Sequence, residues 1–332
     1  MRFRLAQPNC GVSVSDAPVP SMTRRDAILT LASVLAACNR TRGGRPRVAL
    51  VLKTFNSPFF LDMRRGAEAA ATRAGIDLVV QAAEREIDVE RQMQIIENLI
   101  ETRVTVLCIC PSGSKEIVPA VGKANRAGIP VIIVDDQIDE SAAAEQGVRF
   151  DTYIGSDNVE GGRIAGQYLV EASRGVARVA LLEGIPGHQT GDARLQGFRD
   201  AIRSAPGVAV VASQTANWER YQGFTVFRNM LQAHPEIDAL FACNDVMALG
   251  AVEAIQAAGR TGRIRIIGFD AIDDARKAIA AGTMEASVAQ YPEEMGRIAV
   301  ESAVKLIRGE PLPRDQRTRV GLVTRANLDA QR

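Results

Sequence analysis

The chain has 332 residues, 46% of them hydrophobic and 24% charged, so it can bury a large core and form two domains. Its 40 basic and 39 acidic residues give a net charge of +1 and are spread along the sequence, which argues against nucleic acid as a partner and against an acidic interaction arm. No apolar run reaches the length of a membrane-spanning helix.

The first 46 residues have the pattern of a secretory signal followed by a tether. Two arginines precede a short apolar run at 27–37, which ends in small residues directly before Cys38. This Leu-Ala-Ala-Cys motif resembles the lipobox of bacterial lipoproteins, in which the cysteine is acylated and becomes the mature N-terminus. A buried helix with an incidental cysteine is the alternative, but the polar stretch at 39–47 is typical of a tether. We therefore predict a lipoprotein anchored at Cys38.

From Arg47 onward, short apolar runs of strand length alternate with segments that have one apolar helical face. The predicted strands lie at 48–52, 76–81, 104–110, Val131–Val134, 153–155, 177–182, 208–213, 239–243, 264–267 and Ala286–Ala289. Strands that alternate with helices form parallel sheets with helices on both faces. Because the pattern restarts at Ala177, the sequence predicts an α/β fold built from two similar halves.

The stretch at 237–258 shows the repeating unit most clearly. A strand ends at Asn244 and Asp245, and an amphipathic helix follows directly. One such side chain is enough to cap a helix N-terminus. Ligands of open α/β sheets bind beyond the carboxyl ends of the strands, so the other member of the pair is a candidate ligand contact.

Polar and aromatic side chains follow many of the other predicted strands. Carboxylates and amides suit hydroxyl groups, and flat aromatic rings suit the apolar face of a sugar. Each residue alone could be a cap, a loop residue or part of the core, but their alternation at the same edge of both halves favours a ligand cleft. The candidates are Lys53, Ser57, Phe59, Phe60, Cys110, Asp135, Asp136, Asp192, Trp218, Asn244, Phe269, Asp270 and Gln290. Among them, Asp270 is the first choice.

Patterns for catalysis, metals and cofactors are missing from the sequence. No glycine-rich phosphate loop follows a strand, no Gly-x-Ser-x-Gly motif occurs, and the two histidines have no partners at metal-ligand spacing. The five cysteines do not form a disulfide framework. Asp135 and Asp136 could in principle perform acid–base chemistry, but adjacent residues on one turn rarely flank a single bond. We therefore predict a protein that is not an enzyme and has neither metal nor cofactor.

Several stretches, in order, resemble the ribose-binding branch of the periplasmic sugar-binding proteins, which are receptors of ABC importers. The matching stretches are 48–51, 56–60, 154–159, 161–166, 241–250, 267–270 and 289–290, and the resemblance extends from 47 to 328. It implies two Rossmann-like domains joined by three crossovers, which close on the ligand. The implied lobes are 47–155 plus 291–319 and 156–290 plus 320–328, with crossovers near Gly155, 290–291 and 318–320.

The resemblance also implies roles for individual residues. The pocket residues that carry over are Phe59, Phe60, Asp135, Asn244, Phe269, Asp270 and Gln290, with an aromatic residue at Trp218. The departures are Lys53 in place of serine, Ser57 and Cys110 in place of asparagine, and Asp136 and Asp192 in place of arginine. Arg194 lies close enough in sequence to compensate for one lost arginine. The altered charge predicts a ligand other than ribose: another pentose, a hexose, a polyol or an amino sugar.

The resemblance therefore implies a monomeric, lipid-anchored receptor at the periplasmic or extracellular face that delivers a sugar-like ligand to an ABC permease. A receptor for sugars or autoinducer-2 in signalling or chemotaxis is an alternative, because the lysine at position 53 also resembles the pattern of autoinducer-2 binders. An effector domain of a lac-repressor-type regulator would require a helix-turn-helix where the predicted signal stands. An enzyme on the same scaffold would require a nucleophile and base that the sequence does not show.

Overall fold

The computed structural model describes residues 45–328, so the predicted signal, tether and lipidation site at Cys38 lie outside the described residues. The strands are β1 Arg47–Thr54, β2 Asp77–Ala83, β3 Val106–Ile109, β4 Val131–Val134, β5 Thr152–Ser156, β6 Val176–Glu183, β7 Gly207–Thr215, β8 Ala239–Ala242, β9 Arg265–Asp270, β10 Ala286–Ala289, β11 Asp315–Thr318 and β12 Gly321–Thr324. The helices are α1 Pro58–Ala74, α2 Val89–Glu101, α3 Val118–Arg126, α4 Glu140–Glu145, α5 Asn158–Ala172, α6 Gln189–Ile202, α7 Arg220–Ala233, α8 Asp245–Ala257, α9 Asp273–Ala281 and α10 Pro292–Ile307. Within this range, no helix has the length and apolarity needed to span a membrane.

The strands form two sheets with matching topology. The first sheet has the order β2-β1-β3-β4-β5-β11, and the second has the order β7-β6-β8-β9-β10-β12. The strands pair in parallel except for β10 and β12, which are antiparallel. The predicted α/β fold with two similar halves is therefore confirmed, although β11 and β12 were not predicted as strands.

The central strands are buried on both faces, which explains why they read as continuous apolar runs. All four residues of β4, Val-Ile-Ile-Val, are buried, and so are the four residues of β8. Parallel strands with helices on both faces need apolar side chains in both directions. As a result, polar side chains are concentrated beyond the carboxyl ends of the strands.

Glycines allow close helix packing beside that edge. A Cβ at Gly162 in α5 would lie 2.0 Å from the backbone oxygen of Arg194, and one at Gly197 in α6 would lie 1.9 Å from the oxygen of Val159. These reciprocal contacts hold α5 against α6 and place Arg194 deep between them, where it is buried. Gly162 and Gly197 thus serve helix packing, whereas a Cβ at Gly161 would lie 2.5 Å from the Phe269 ring.

The chain passes between the two sheets three times. It enters the second sheet after β5, returns after β10 through α10, which packs on α1, and enters the second sheet again between β11 and β12. Only Arg319 and Val320 separate those two last strands. The two sheets are therefore joined near the ends of β5, β10 and β11.

Candidate functional site

A cavity lies where the carboxyl ends of the two sheets meet. Its lining residues are Lys53, Ser57, Phe59, Phe60, Glu86, Asp135, Thr190, Arg194, Trp218, Asn244, Asp270 and Gln290. They come from both sheets and include most of the residues predicted from the sequence. Glu86 and Thr190 are lining residues that the sequence analysis did not predict.

The wall on the side of the first sheet is built around a buried cation. Lys53 Nζ lies 3.1 Å from Asp136 Oδ2 and 3.5 Å from Asp135 Oδ2, and all three residues are buried. The register of β1 against β2 shifts between Leu52 and Thr54, so Lys53 lies at an irregularity of the strand. Tyr153 holds the turn by donating a hydrogen bond from its hydroxyl to the Asp135 carbonyl at 2.7 Å.

The pKa values of these three groups reflect burial and mutual attraction. Burial alone would lower the pKa of Lys53, but the carboxylates of Asp136 and Asp135 outweigh it and raise that pKa above its ordinary value. Burial raises the pKa of Asp135, and Lys53 offsets this only in part. For Asp136 the burial effect is overcome by Lys53, His188 and hydrogen bonds, so its pKa is lowered. Lys53 and Asp136 therefore form an ion pair near neutral pH.

His188 connects the two halves and orients an aromatic side chain of the cavity. Burial, followed by the charge of Lys53, lowers the pKa of His188 to about 4, so its ring is neutral at pH 7. His188 Nε2 lies 2.9 Å from the carbonyl oxygen of Ser112 and donates to it, which leaves Nδ1 to accept the indole N–H of Trp218 at 3.4 Å. A Cβ at Gly184 would lie 1.9 Å from the Trp218 ring, so only glycine leaves room for the indole there.

The wall on the side of the second sheet is built around Arg194. Its guanidinium carbon lies 3.9 Å from the centre of the Phe269 ring, a stacked cation–π arrangement. Its Nε donates to Asn158 Oδ1 at 2.8 Å, and one terminal nitrogen donates to the Cys243 carbonyl at 2.6 Å. The same nitrogen lies 3.7 Å from Asp270 Oδ1. Arg194 is thus fixed between a ring and three oxygens.

Asp270 and Gln290 form a linked pair of hydrogen-bonding groups. Gln290 Nε2 donates to Asp270 Oδ1 at 2.7 Å. Gln290 Oε1 is buried and has no hydrogen-bond partner among residues 45–328. Burial raises the pKa of Asp270 to about 7, although the charge of Arg194 and the bond from Gln290 oppose it. Both side chains therefore retain acceptor capacity for a ligand hydroxyl.

Asn244 and Asp245 divide their tasks in a way that the sequence could not decide. Asn244 Oδ1 accepts the backbone N–H of Met247 at 2.9 Å and caps α8, yet this same residue lines the cavity. Asp245 is fully buried and accepts the Ser287 hydroxyl at 2.7 Å and the backbone N–H of Ile272 at 2.9 Å. The cap is therefore also the candidate ligand contact, and Asp245 holds the loop that follows Asp270.

Three lining residues have backbone angles in the left-handed region. The φ values are 66° at Asp135, 64° at Trp218 and 111° at Asp270. Such conformations cost roughly 1–3 kcal/mol each and persist only where the surroundings enforce them. At Asp270 the following residue is held by a hydrogen bond from the Ala271 N–H to the Ser287 hydroxyl at 3.0 Å. The strain is concentrated at the strand ends that carry the candidate ligand contacts.

Four predicted site residues do not line the cavity. Cys110 is buried with its Sγ 3.5 Å from Met63 Sδ, and burial raises its thiol pKa well above the usual value. Phe269 lies beneath Arg194. Asp136 is paired with Lys53. Asp192 is exposed on α6.

The positions of Asp192 and Arg194 correct the predicted charge of the pocket. Asp136 and Asp192 were both predicted to stand in the pocket wall in place of family arginines, but Asp192 is exposed, and Arg194, two residues later on α6, lines the cavity instead. A register difference of two residues on a helix changes which side chain is buried. Of these two substituted positions, only Asp136 adds a buried negative charge, and it pairs with Lys53.

Glu86 was missed because it lies in the loop after β2, beyond the last strand residue. The rule that ligands bind beyond the carboxyl ends of strands could have found it. Thr190 belongs to the first turn of α6, and no local sequence pattern distinguishes it from an ordinary helix residue. Among residues 45–328, no group of three or more His, Cys, Asp and Glu side chains could hold a metal ion.

A family model described as periplasmic binding protein domain matches residues 48–311. The chain belongs to this family. It is 34% identical over 290 residues to the ribose import binding protein of Escherichia coli (strain K12), which covers 87% of this chain and 94% of the relative. It is 38% identical over 263 residues to the ribose import binding protein of Bacillus subtilis (strain 168), covering 79% and 82%.

Solved structures give the same result for the fold. The chain matches the crystal structure of an ABC transporter periplasmic solute binding protein from Actinobacillus succinogenes 130z with bound D-allose. The TM-score is 0.81 and the identity 37%, with 86% of this chain and 100% of that chain covered. The predicted family and fold class are therefore both confirmed.

Proposed function

We propose that this chain is the substrate-binding component of an ABC importer, which captures a monosaccharide or a related polyol in the cavity between its two sheets and delivers it to a membrane permease. The observation that carries this proposal is the arrangement of hydrogen-bonding groups and aromatic rings. Asp135 lines the cavity from the first sheet, and Asp270 and Gln290 line it from the second. A molecule with hydroxyl groups on both sides would engage them together.

The aromatic side chains support a ring-shaped or extended polyhydroxyl ligand. Phe59 and Phe60 lie edge to face with ring centres 5.2 Å apart, and Trp218 lines the cavity from the second sheet. The apolar C–H face of a sugar packs on such rings while its rim reaches the polar groups. Ser57 makes no side-chain capping hydrogen bond to α1 and lines the cavity.

The relatives support import rather than catalysis. They include ribose import binding proteins, and one solved relative holds D-allose. These are binding proteins of transport systems, which agrees with the prediction that the chain is not an enzyme. A periplasmic location follows from the family, and a permease is the implied partner.

Two lobes that close on the ligand form part of the proposal. The N-terminal lobe comprises 47–155 plus 291–319, and the C-terminal lobe comprises 156–290 plus 320–328. This division is supported by the membership of β11 in the first sheet and of β12 in the second. We further propose that the protein is a monomer held to the membrane by a lipid on Cys38, which the Leu-Ala-Ala-Cys motif supports.

A thermal-shift screen of the purified protein tests this function. The panel contains pentoses, hexoses, polyols, amino sugars and autoinducer-2. A ligand present at about 100 times its Kd adds about 2.7 kcal/mol to the free energy of unfolding when it binds only the folded state. Asp270→Ala is the matched control and should reduce affinity for the same compound about tenfold or more, because a hydrogen bond to a charged group contributes about 1.5–3 kcal/mol. A panel without a single stabilising compound would overturn the proposal.

A further inference from the structure

Glu86 is a carboxylate of the cavity that the protein itself leaves without a partner. It lies in the loop between β2 and α2 and lines the cavity beside Lys53, Asp135 and Asp270. Its carboxylate makes neither a hydrogen bond nor an ion pair with any residue between 45 and 328, whereas the nearby Arg85 pairs with Glu219. A ligand that enters the cavity can supply the partner that this carboxylate lacks.

The charges of the cavity do not balance without such a partner. The cations are Lys53 and Arg194, and the carboxylates beside them are Glu86, Asp135, Asp136 and Asp270. With all four carboxylates ionised, the two cations would leave an excess of two negative charges. Lys53 is held by Asp136 and Asp135, and Arg194 faces Asp270, so Glu86 is the carboxylate for which no cation remains.

A second observation shows that the cavity has too few donors of its own. Gln290 lines the same cavity, and its buried Oε1 accepts no hydrogen bond from residues 45–328, while its amide nitrogen donates to Asp270. An unsatisfied buried acceptor costs free energy that a ligand donor would recover. A ligand that carries several N–H and O–H groups would therefore supply the missing hydrogen-bond donors. If one of these groups is an ammonium, the ligand also supplies the missing positive charge.

The electrostatics at Glu86 agree with this geometry. Burial raises the pKa of Glu86 to about 7, Lys53 counteracts the effect, and the carboxylates of Asp135, Asp270 and Asp136 add to it. A positive charge placed against Glu86 would relieve both the burial and the repulsion, since opposite charges at close range favour the ionised form.

We propose that Glu86 is a specificity-determining residue that binds an ammonium group of the ligand, so that the preferred ligand is an aminated sugar or aminated polyol. This inference rests on the proposed function and narrows its ligand class. A hydroxyl at the same position would be bound almost equally well by a glutamine, which keeps the oxygen acceptor but not the charge. The comparison of glutamate with glutamine therefore separates an ammonium site from a hydroxyl site.

The test is isothermal titration calorimetry at pH 7 with matched pairs of compounds. Each pair differs by an ammonium group in place of one hydroxyl: D-glucosamine with D-glucose, D-galactosamine with D-galactose, and 1-amino-1-deoxy-D-ribitol with D-ribitol. In the wild-type protein, at least one aminated member should bind tenfold or more tightly than its neutral partner. Its N-acetylated form, which keeps the nitrogen but loses the charge, should lose that advantage.

Variants of the same loop show whether Glu86 is responsible. Glu86→Gln should abolish the preference for the aminated member while the neutral member binds with affinity within about threefold of wild type. Glu84→Gln is the control, since Glu84 is an exposed carboxylate that does not line the cavity. It should leave the preference unchanged.

Each other outcome has a definite meaning. If neutral sugars bind and no aminated member is preferred, the inference is wrong and the proposed function stands. A preference that persists in Glu86→Gln also refutes the role of Glu86. If no compound of either kind binds, the proposed function fails and this inference fails with it.

Discussion

Asp136 accepts two hydrogen bonds from Thr190, one from its backbone N–H at 3.2 Å and one from its hydroxyl at 3.3 Å. Asp136 follows β4 of the first sheet, and Thr190 belongs to α6 of the second. The two halves of the molecule are thus joined by a contact that the protein makes with its own side chains. Asp136 stands at a position where the ribose binders that the sequence resembles carry arginine.

Removal of this contact should favour an open cleft. In Asp136→Ala both bonds to Thr190 and the ion pair with Lys53 are lost, which removes an interaction worth about 1.5–3 kcal/mol. We expect the ligand-free radius of gyration, measured by small-angle X-ray scattering, to increase. Ligand affinity should decrease about tenfold, because only the closed fraction of the population binds tightly.

Thr190→Val provides a graded control, since it deletes the hydroxyl bond and keeps the backbone bond. Its scattering profile and affinity should lie between those of the wild type and Asp136→Ala. An unchanged radius in Asp136→Ala would show that the contact does not hold the halves together.

Arg194 should be required for binding, and lysine should not replace it. Its planar guanidinium stacks on Phe269 and donates in fixed directions to Asn158 and Cys243, which a flexible ammonium cannot reproduce. Arg194→Ala leaves Asp270 without its counter-charge and should weaken affinity about a hundredfold or more in calorimetry. Arg194→Lys should also weaken it, by about tenfold. Arg199→Lys, on the exposed face of the same helix, should bind as the wild type does.

Asp270 should make a measurable contribution to the pH dependence of stability. Its folded pKa of about 7 lies above the unfolded value, so the folded state binds more protons between about pH 4 and pH 7. Its contribution is therefore favourable at low pH and is lost as pH rises through 7. Asparagine at this position does not titrate. The free energy of unfolding of Asp270→Asn minus that of the wild type should therefore increase between pH 5 and pH 8. A constant difference across that range, measured by urea titration, would contradict the raised pKa.

The fluorescence of Trp218 should report on the cavity. It is the single tryptophan of the chain. Gly184→Ala places a methyl group within the indole ring position, so the emission maximum should shift and ligand affinity should decrease about tenfold. Pro186→Ala, at an exposed position of the same loop, removes side-chain atoms without adding any and should leave the emission unchanged. Equal spectra for both variants would show that the ring does not depend on Gly184.

Cys38→Ala should release the protein from membranes and abolish metabolic labelling with a radioactive fatty acid. The expectation comes from the Leu-Ala-Ala-Cys motif, in which the thiol is the acylation site. Cys243→Ala, which changes a buried cysteine, should keep both the label and the membrane fraction. Unchanged fractionation of Cys38→Ala would rule out the lipid anchor.

Much of the fold could be predicted because each central strand combines an apolar run with a polar end. The missed strands β11 and β12 are four residues long, and β11, Asp-Gln-Arg-Thr, contains no apolar residue. Such edge strands are held by backbone hydrogen bonds to β5 and β10 and need little apolar surface of their own. Hydrophobic periodicity therefore could not reveal them.

The candidate site was predictable as a set of strand ends, but the pairing within it was not. Sequence places Lys53 far from Asp135 and Asp136, and only the order β1-β3-β4 brings the three side chains together. Whether Asp192 or Arg194 lines the cavity depends on which face of α6 is turned toward it, and the sequence alone does not determine this. Glu86 lacked any local pattern, because its importance comes from the neighbours that surround it in space.

The two residues between β11 and β12 have a consequence for biosynthesis. Each of these strands completes the edge of a different sheet, so both β5 and β10 keep an unpaired side until residues 315–324 have been synthesised. Unpaired strand edges are templates for wrong association between chains. The free side of β5 is therefore open from the synthesis of residue 156 until β11 is made, that of β10 only from residue 289 until β12 is made, and both are paired within the same ten-residue stretch.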